Sequence, residues 1–193
     1  MTKRILGSLT RRTRSLVTVG LVSLGLVVAT TTPAHAASWY FFDNFETNAS
    51  SNWVKDGTGT YSGIVTPTGG VNYSKGGYVA ARFYNSFGSL GRSVYIAPRA
   101  GHPAISCKAT FSVRRDALYG SLPKVNLEVI DPVTWDYVAF SSTYVINTEF
   151  AAFSTSTWYG GPANVFIRVS VLGQNTTVSQ AVYFDNAYVT CSY

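Results

Sequence analysis

The chain has 193 residues, 46% of them hydrophobic and only 12% charged, with Trp 4, Tyr 13 and Phe 11 and a formal net charge of +6. Five bases (Lys3, Arg4, Arg11, Arg12, Arg14) and no acid fall in the first 36 residues, so the remaining 157 (193 minus 36) carry ten bases (15 minus 5) against nine acids, a balance of +1. That near-neutrality excludes nucleic acid as a partner held through a basic surface, while the length suits one domain with a real core.

Residues 1–36 read as a secretory signal peptide. A basic start precedes an apolar run at 16–29, and Ala34-His35-Ala36 forms a small-x-small cleavage site. The run is short for a membrane span of about 20 residues, which leaves an uncleaved anchor as the alternative. The expectation is a secreted, extracellular protein with no membrane span after cleavage, and residues 37–193 as a single domain.

From Trp39 onward no window of about eleven residues keeps a helical period, whereas short strand patterns recur between turn residues. Strands are expected at 39–42 and 61–65, with a polar loop at 47–52 between them and a Gly- and Ser-rich turn at 68–77 after them. In 78–84, Val79, Ala81 and Phe83 share one face, and Tyr78, Arg82 and Tyr84 the other. Strands follow at 90–97 and 105–115. Those at 124–130 and 135–140 flank Asp131-Pro132-Val133-Thr134, a turn with proline at its second position, which predicts a hairpin. Brief pairing is expected at 144–147 and a strand at 150–155. Val165, Ile167, Val169 and Val171 alternate through 164–172. Such a series argues for an all-β, two-sheet antiparallel β-sandwich, a jelly roll.

The last strand, 182–191, places Tyr183, Asp185, Ala187, Val189 and Cys191 on one parity, which Ala187 and Val189 mark as inward. A buried carboxylate must be paired, hydrogen-bonded or metal-bound, and the best partner for Asp185 lies in Asp43-Asn44-Phe45-Glu46. Cys107 shares parity with Ala109, Phe111 and Val113, so both cysteines point inward. In an exported chain that pattern predicts a Cys107–Cys191 disulfide, with two unpaired buried thiols as the alternative.

Three features together, Asp43-Asn44-Phe45-Glu46 followed by Trp53, Gly76-Gly77-Tyr78-Val79-Ala80, and Val182-Tyr183-Phe184-Asp185-Asn186-Ala187, resemble secreted carbohydrate-binding modules of the CenC-like jelly-roll kind, within the galactose-binding-like β-sandwiches. The resemblance implies a structural calcium ion held by Glu46 and Asp185 with carbonyls around Lys75 and Gly76, and Asn186 departs from the family's second aspartate. Hard oxygen donors of that kind suit Ca²⁺. The competing reading is that Glu46 caps a turn and Asp185 accepts backbone hydrogen bonds. The resemblance also implies glycan binding on the concave face of one sheet or at edge loops, with Trp53 in the core.

Sugars offer apolar C–H faces and many hydroxyls, so a site needs flat rings beside planar polar groups. Arg82 and Tyr84, Asn126 and Glu128, and Trp135 and Tyr137 are the expected ligand-binding residues. Trp158 and Tyr159 are candidates for an edge site, and Arg114-Arg115 reads as a solvated strand end. The partner is then a polysaccharide or oligosaccharide, bound by a monomer. No nucleophile elbow is present, and His102 is the one histidine after the leader. A glycan hydrolase using Glu128 with Asp136 or Glu149 is the enzyme alternative, and a structural or adhesive protein the third class.

Overall fold

The protein is seen in a computed structural model that describes residues 37–47, 49–57, 63–82, 84–98, 101, 103–119, 121–174 and 178–193. Residues 1–36, His102, Phe83, Asn48 and Asn175 lie outside the described residues. What is described falls in one compact unit, His35–Tyr193, and contains no helix long and apolar enough to cross a membrane.

The elements follow as β1 (Ser38–Asp43), the helical turn α1 (Ala49–Asn52), β2 (Val54–Gly57), β3 (Ile64–Thr66), a 3-10 turn (Val71–Tyr73), β4 (Gly76–Ala81), β5 (Phe87–Tyr95), β6 (Ser106–Arg115), β7 (Lys124–Ile130), β8 (Tyr137–Tyr144), β9 (Ala151–Ser154), β10 (Trp158–Tyr159), β11 (Asn164–Leu172) and β12 (Gln180–Ser192). They pair antiparallel into two sheets. Sheet I runs β10-β6-β12-β4-β3, with β1 added on β12 and β9 on β6, and sheet II runs β2-β5-β11-β7-β8. The expected two-sheet sandwich is what the chain forms.

Alternation places the core between the sheets. Val125, Leu127 and Val129 of β7 and Val165, Ile167, Val169 and Val171 of β11 meet Ala109, Phe111 and Val113 of β6 and Val79 of β4. Trp53 completes it as expected, with Phe45 stacked on it at 4.6 Å and Phe184 edge-on at 5.7 Å. Phe45 reaches that place through a left-handed backbone, φ 64°, while its N–H donates to Asp43 Oδ1 at 2.7 Å. Asp43 Oδ2 accepts from Trp53 Nε1 at 3.0 Å and pairs with Arg92.

The Cys107–Cys191 bridge is present, with Cα atoms 4.1 Å apart at directly opposed positions of β6 and β12. Both cysteines lie in the core cluster, so their parity was informative.

Among the boundaries that differ from expectation, four have a local reason. The polar segment after β1 winds into α1. β2 is a fully exposed edge strand with no alternation for the eye to find. β4 ends at Ala81, so Arg82 and Tyr84 belong to the connection after it. Trp135 is not in a strand: its N–H closes the hairpin turn on Asp131 O at 2.8 Å with φ 64°, and β8 runs on through Tyr144 instead.

The largest correction concerns β12. Its register slips between Asp185 and Tyr188, and Asn186 sits at φ 50°, a one-residue bulge. Val182 and Phe184 face the core before the bulge, Ala187, Val189 and Cys191 after it. Asp185 therefore does not share the inward face with Ala187. It is buried, 1% exposed, on the other side of the sheet, where residues 70–74 fold over it.

Candidate functional site

Since the odd positions of β7 and β11 fill the core, their even positions form the outer face of sheet II. The register aligns them in rows. Ser93, Phe166, Ile130 and Tyr137 make one, Gly91, Arg168, Glu128 and Phe140 the next, then Ser89, Ser170, Asn126 and Ser142, and finally Phe87, Leu172, Lys124 and Tyr144. Rings thus mark both ends of the face and polar groups its middle.

At the first end Trp135, 62% exposed, lies 6.2 Å from the Phe166 ring, and Tyr137, 59% exposed, 5.4 Å from Phe140. Gly91 makes this possible: a Cβ there would stand 2.5 Å from the Phe166 ring, so only glycine lets that ring cross the sheet.

The middle is a closed network. Glu128 accepts from Arg168 Nε, from Ser170 Oγ at 3.0 Å and from Asn126 Nδ2 at 3.5 Å. Arg168 also reaches Asp56 Oδ2 of β2 at 3.3 Å, and the Phe87 ring lies 6.0 Å from its guanidinium. Asn126 Oδ1 is buried without a partner. Among the expected ligand residues, Asn126 and Glu128 do lie on the outer face as parity implied, but they are buried, 8% and 2% exposed. Glu128 is a holder of Arg168 rather than an open contact.

Tyr84 stands at the far end with Phe87 and Tyr144 around a cleft, and Arg82 is exposed in the connection after β4, which belongs to sheet I. The face thus gathers Trp135, Tyr137, Asn126, Glu128 and, at its margin, Tyr84, while Arg82 directly follows β4 of sheet I. Arg168 and Phe166 were missed because alternation inside a valine-rich strand was read only for its inward side. The signal was there: both sit on the parity opposite Val165 and Val169.

Two further expectations are corrected, and the carboxylates of the enzyme alternative are placed. Trp158 is buried, 4% exposed, opposite Cys107, so it packs beside the disulfide and cannot serve an edge site; Tyr159 alone of that pair is exposed. Arg114 is not a solvated end but lies over Tyr183 at 4.2 Å and Phe150 at 5.2 Å, and Arg115 is half-buried with Nε unpartnered. Glu149 lines a cleft with Arg114 on sheet I, away from Glu128 on sheet II, while Asp136 is exposed in the β7–β8 turn.

Glu46 and Asp185 clamp one turn from two sides. Lys75 N–H donates to Glu46 Oε1 at 2.8 Å and Lys75 Nζ to the Glu46 carbonyl at 3.1 Å. Asp185 Oδ2 accepts from Val71 N–H at 2.8 Å and Ser74 Oγ at 3.1 Å, and its Oδ1 from Asn186 N–H at 2.6 Å. Burial pushes the Asp185 carboxyl above its usual range, and the nearby Glu46 charge adds to this against the pull of those three bonds. A Cβ on Gly70 would lie 2.2 Å from the Lys75 carbonyl, 2.5 Å from Ser74 Oγ and 2.7 Å from Asp185 Oδ2, so oxygens converge on that glycine. Among the described residues no cluster of three or more His, Cys, Asp or Glu side chains occurs, and any cation here draws on carbonyl and hydroxyl oxygens.

No family model and no curated protein matches the sequence. Solved structures do. A family 61 carbohydrate-binding module in complex with β-1,4-galactotriose is 15% identical, with a TM-score of 0.54 over 76% of this chain and 92% of its own. The CBM22-1 xylan-binding domain of Paenibacillus barcinonensis Xyn10C is 13% identical, with a TM-score of 0.55 over 82% of this chain and 97% of its own. The CBM22-1 and catalytic modules of Clostridium thermocellum xylanase 10B, complexed with xylohexaose, match at 14% identity and a TM-score of 0.52 over 78% of this chain and 28% of theirs. At these identities the likeness shows the fold: the chain shares the β-sandwich of carbohydrate-binding modules.

Proposed function

We propose that this is an exported module that binds a polysaccharide along the outer face of sheet II without transforming it. The observation that carries the reading is the arrangement of that face, with exposed rings of Trp135, Tyr137, Tyr144 and Phe140 framing the buried Arg168–Glu128 pair, which reaches out to the exposed Asp56. A pyranose lays its C–H face on such rings, and its hydroxyls meet the polar row between them, where Ser142 is exposed. Because Arg168 and Glu128 are locked to each other and to Ser170, the polar row is pre-organised and loses little freedom on binding. The sandwich is shared with structures named for galactotriose, xylan and xylohexaose, which supports a sugar partner. The disulfide fits an oxidising compartment, and the near-neutral balance after residue 36 fits neither nucleic acid nor a membrane surface.

Trp135→Ala and Tyr137→Ala should each lower affinity about 10- to 30-fold at unchanged thermal stability, measured by pull-down on insoluble glycans and calorimetry on soluble ones. A folded protein that binds no glycan would instead make the sandwich a structural or adhesive unit, and the search would turn to protein partners.

The same reading includes a calcium ion at the clamp, held by Glu46 and Asp185 with Ser74 Oγ and the Lys75 carbonyl. The donor set fits, since all four are hard oxygens. Bound calcium supplies positive charge where two carboxylates converge. Saturating calcium is expected to add about 3 kcal/mol at a hundredfold excess over Kd, seen as a rise in Tm that chelator reverses and Asp185→Asn abolishes. A Tm indifferent to both calcium and chelator leaves the clamp a purely hydrogen-bonded turn.

A further inference from the structure

At the end of sheet II away from Trp135, the row Phe87, Leu172, Lys124 and Tyr144 meets two connections, after β4 and after β11, which are tied by Gly173 N–H donating to Ser86 O at 2.8 Å. They wall a cleft of about 500 Å³ lined by Tyr84, Phe87, Lys124, Tyr144 and Gln174. A second cleft of about 470 Å³ shares Tyr144 and Gln174 and ends on Ser121, Leu122 and Gln180. Volumes of this size suit a small ligand.

Two amide atoms are left over here. Gln180 is 2% exposed and its Oε1 has no hydrogen-bond partner, nor has the buried Nε2 of Gln174. A buried polar atom without a partner is destabilising, and an apolar side chain of similar volume beside Ala181 and Val182 would avoid that cost. The pair is one acceptor and one donor on clefts flanked by Tyr84, 68% exposed, and Tyr144, 52% exposed. That combination matches two hydroxyls and one apolar face of a pyranose ring.

We propose that these joined clefts form the terminal subsite of the sheet II groove, holding the last sugar of a bound chain; this rests on the glycan-binding reading of that face. One sugar hydroxyl donates to Gln180 Oε1, another accepts from Gln174 Nε2, and the ring packs on Tyr144. Selectivity for the sugar at that position then comes from these two amides, and the Trp135 end supplies affinity by stacking.

The test titrates wild type, the double variant Gln174→Met/Gln180→Met and Trp135→Ala with xylohexaose, cellohexaose and β-1,4-galactotriose by calorimetry, with Tm measured alongside. The double variant should keep or raise Tm, because unsatisfied polar atoms are removed, and lose at least about tenfold in affinity for whichever sugar the wild type binds. Unchanged affinity in the double variant, beside lost binding in Trp135→Ala, would show the amides merely hydrated and overturn the subsite while the groove stands. A wild type that binds none of the sugars overturns both. Should the double variant not fold, Gln174→Met alone, at the half-buried amide, decides by the same tenfold criterion.

Discussion

Glu128→Ala should destabilise the protein by about 3 to 5 kcal/mol, the range for stranding one member of a buried ion pair. The Arg168 side chain is 13% exposed and Glu128 only 3%, so removing the carboxylate leaves the guanidinium with Asp56, whose side chain is 55% exposed and 3.3 Å away. Ser170 Oγ and Asn126 Nδ2 lose their acceptor as well. The counter-experiment is the double variant Glu128→Met/Arg168→Met. Replacing both charges with apolar chains of similar length is near neutral in stability, so the cycle completed by the single variants Glu128→Met and Arg168→Met should return a coupling energy of several kcal/mol. Urea midpoints at constant m measure it. Additive single and double costs would mean that the pair is not the unit described here. Sugar binding separates the roles further: the double variant folds but loses the fixed polar row, and its affinity should fall while its midpoint holds. A hydrolase that used Glu128 as its acid would instead keep binding in Glu128→Gln and lose release of reducing ends.

The same residues show what the sequence can disclose. In β7 and β11 every inward position is apolar, and the expected limits 124–130 and 164–172 are those observed. The inward parity of Cys107 and Cys191 held because each lies in an unbroken run beside its partner strand. Parity failed for Asp185, since a bulge adds one residue and leaves no mark in the alternation itself; Val182, Phe184, Ala187 and Val189 are all apolar whichever side they take. Trp135 read as strand because aromatic residues favour strands, whereas its left-handed backbone is imposed by the turn it closes on Asp131. Arg168 was hidden by its neighbours: three inward valines and one isoleucine define a core strand, and the charge between them signifies something only when Glu128 is seen opposite it. What sequence cannot give is this cross-strand adjacency, because register is fixed by pairing and not by any one strand.

Register also makes the disulfide the second large term. Cys107 and Cys191 close a loop with a separation of 84 residues, for which the chain-entropy model gives roughly 4 to 5 kcal/mol. A Cys107→Ala/Cys191→Ala variant should therefore lose about 10 to 20 °C in Tm for a domain of this size. The effect should also be uneven. Among the described residues β1 pairs with β12 alone, from Ser38 opposite Ser192 to Asp43 opposite Ala187, and the bridge pins that stretch of β12 to β6. Without it, amide protection should fall first along β1 and residues 187–192. Residues 180–184, between β4 and β6, should keep theirs. A thiol-free variant that melted within a few degrees of wild type would place the work of closing this loop on β6–β12 pairing and the Trp158 packing at Cys107, with no separate contribution from the covalent bond.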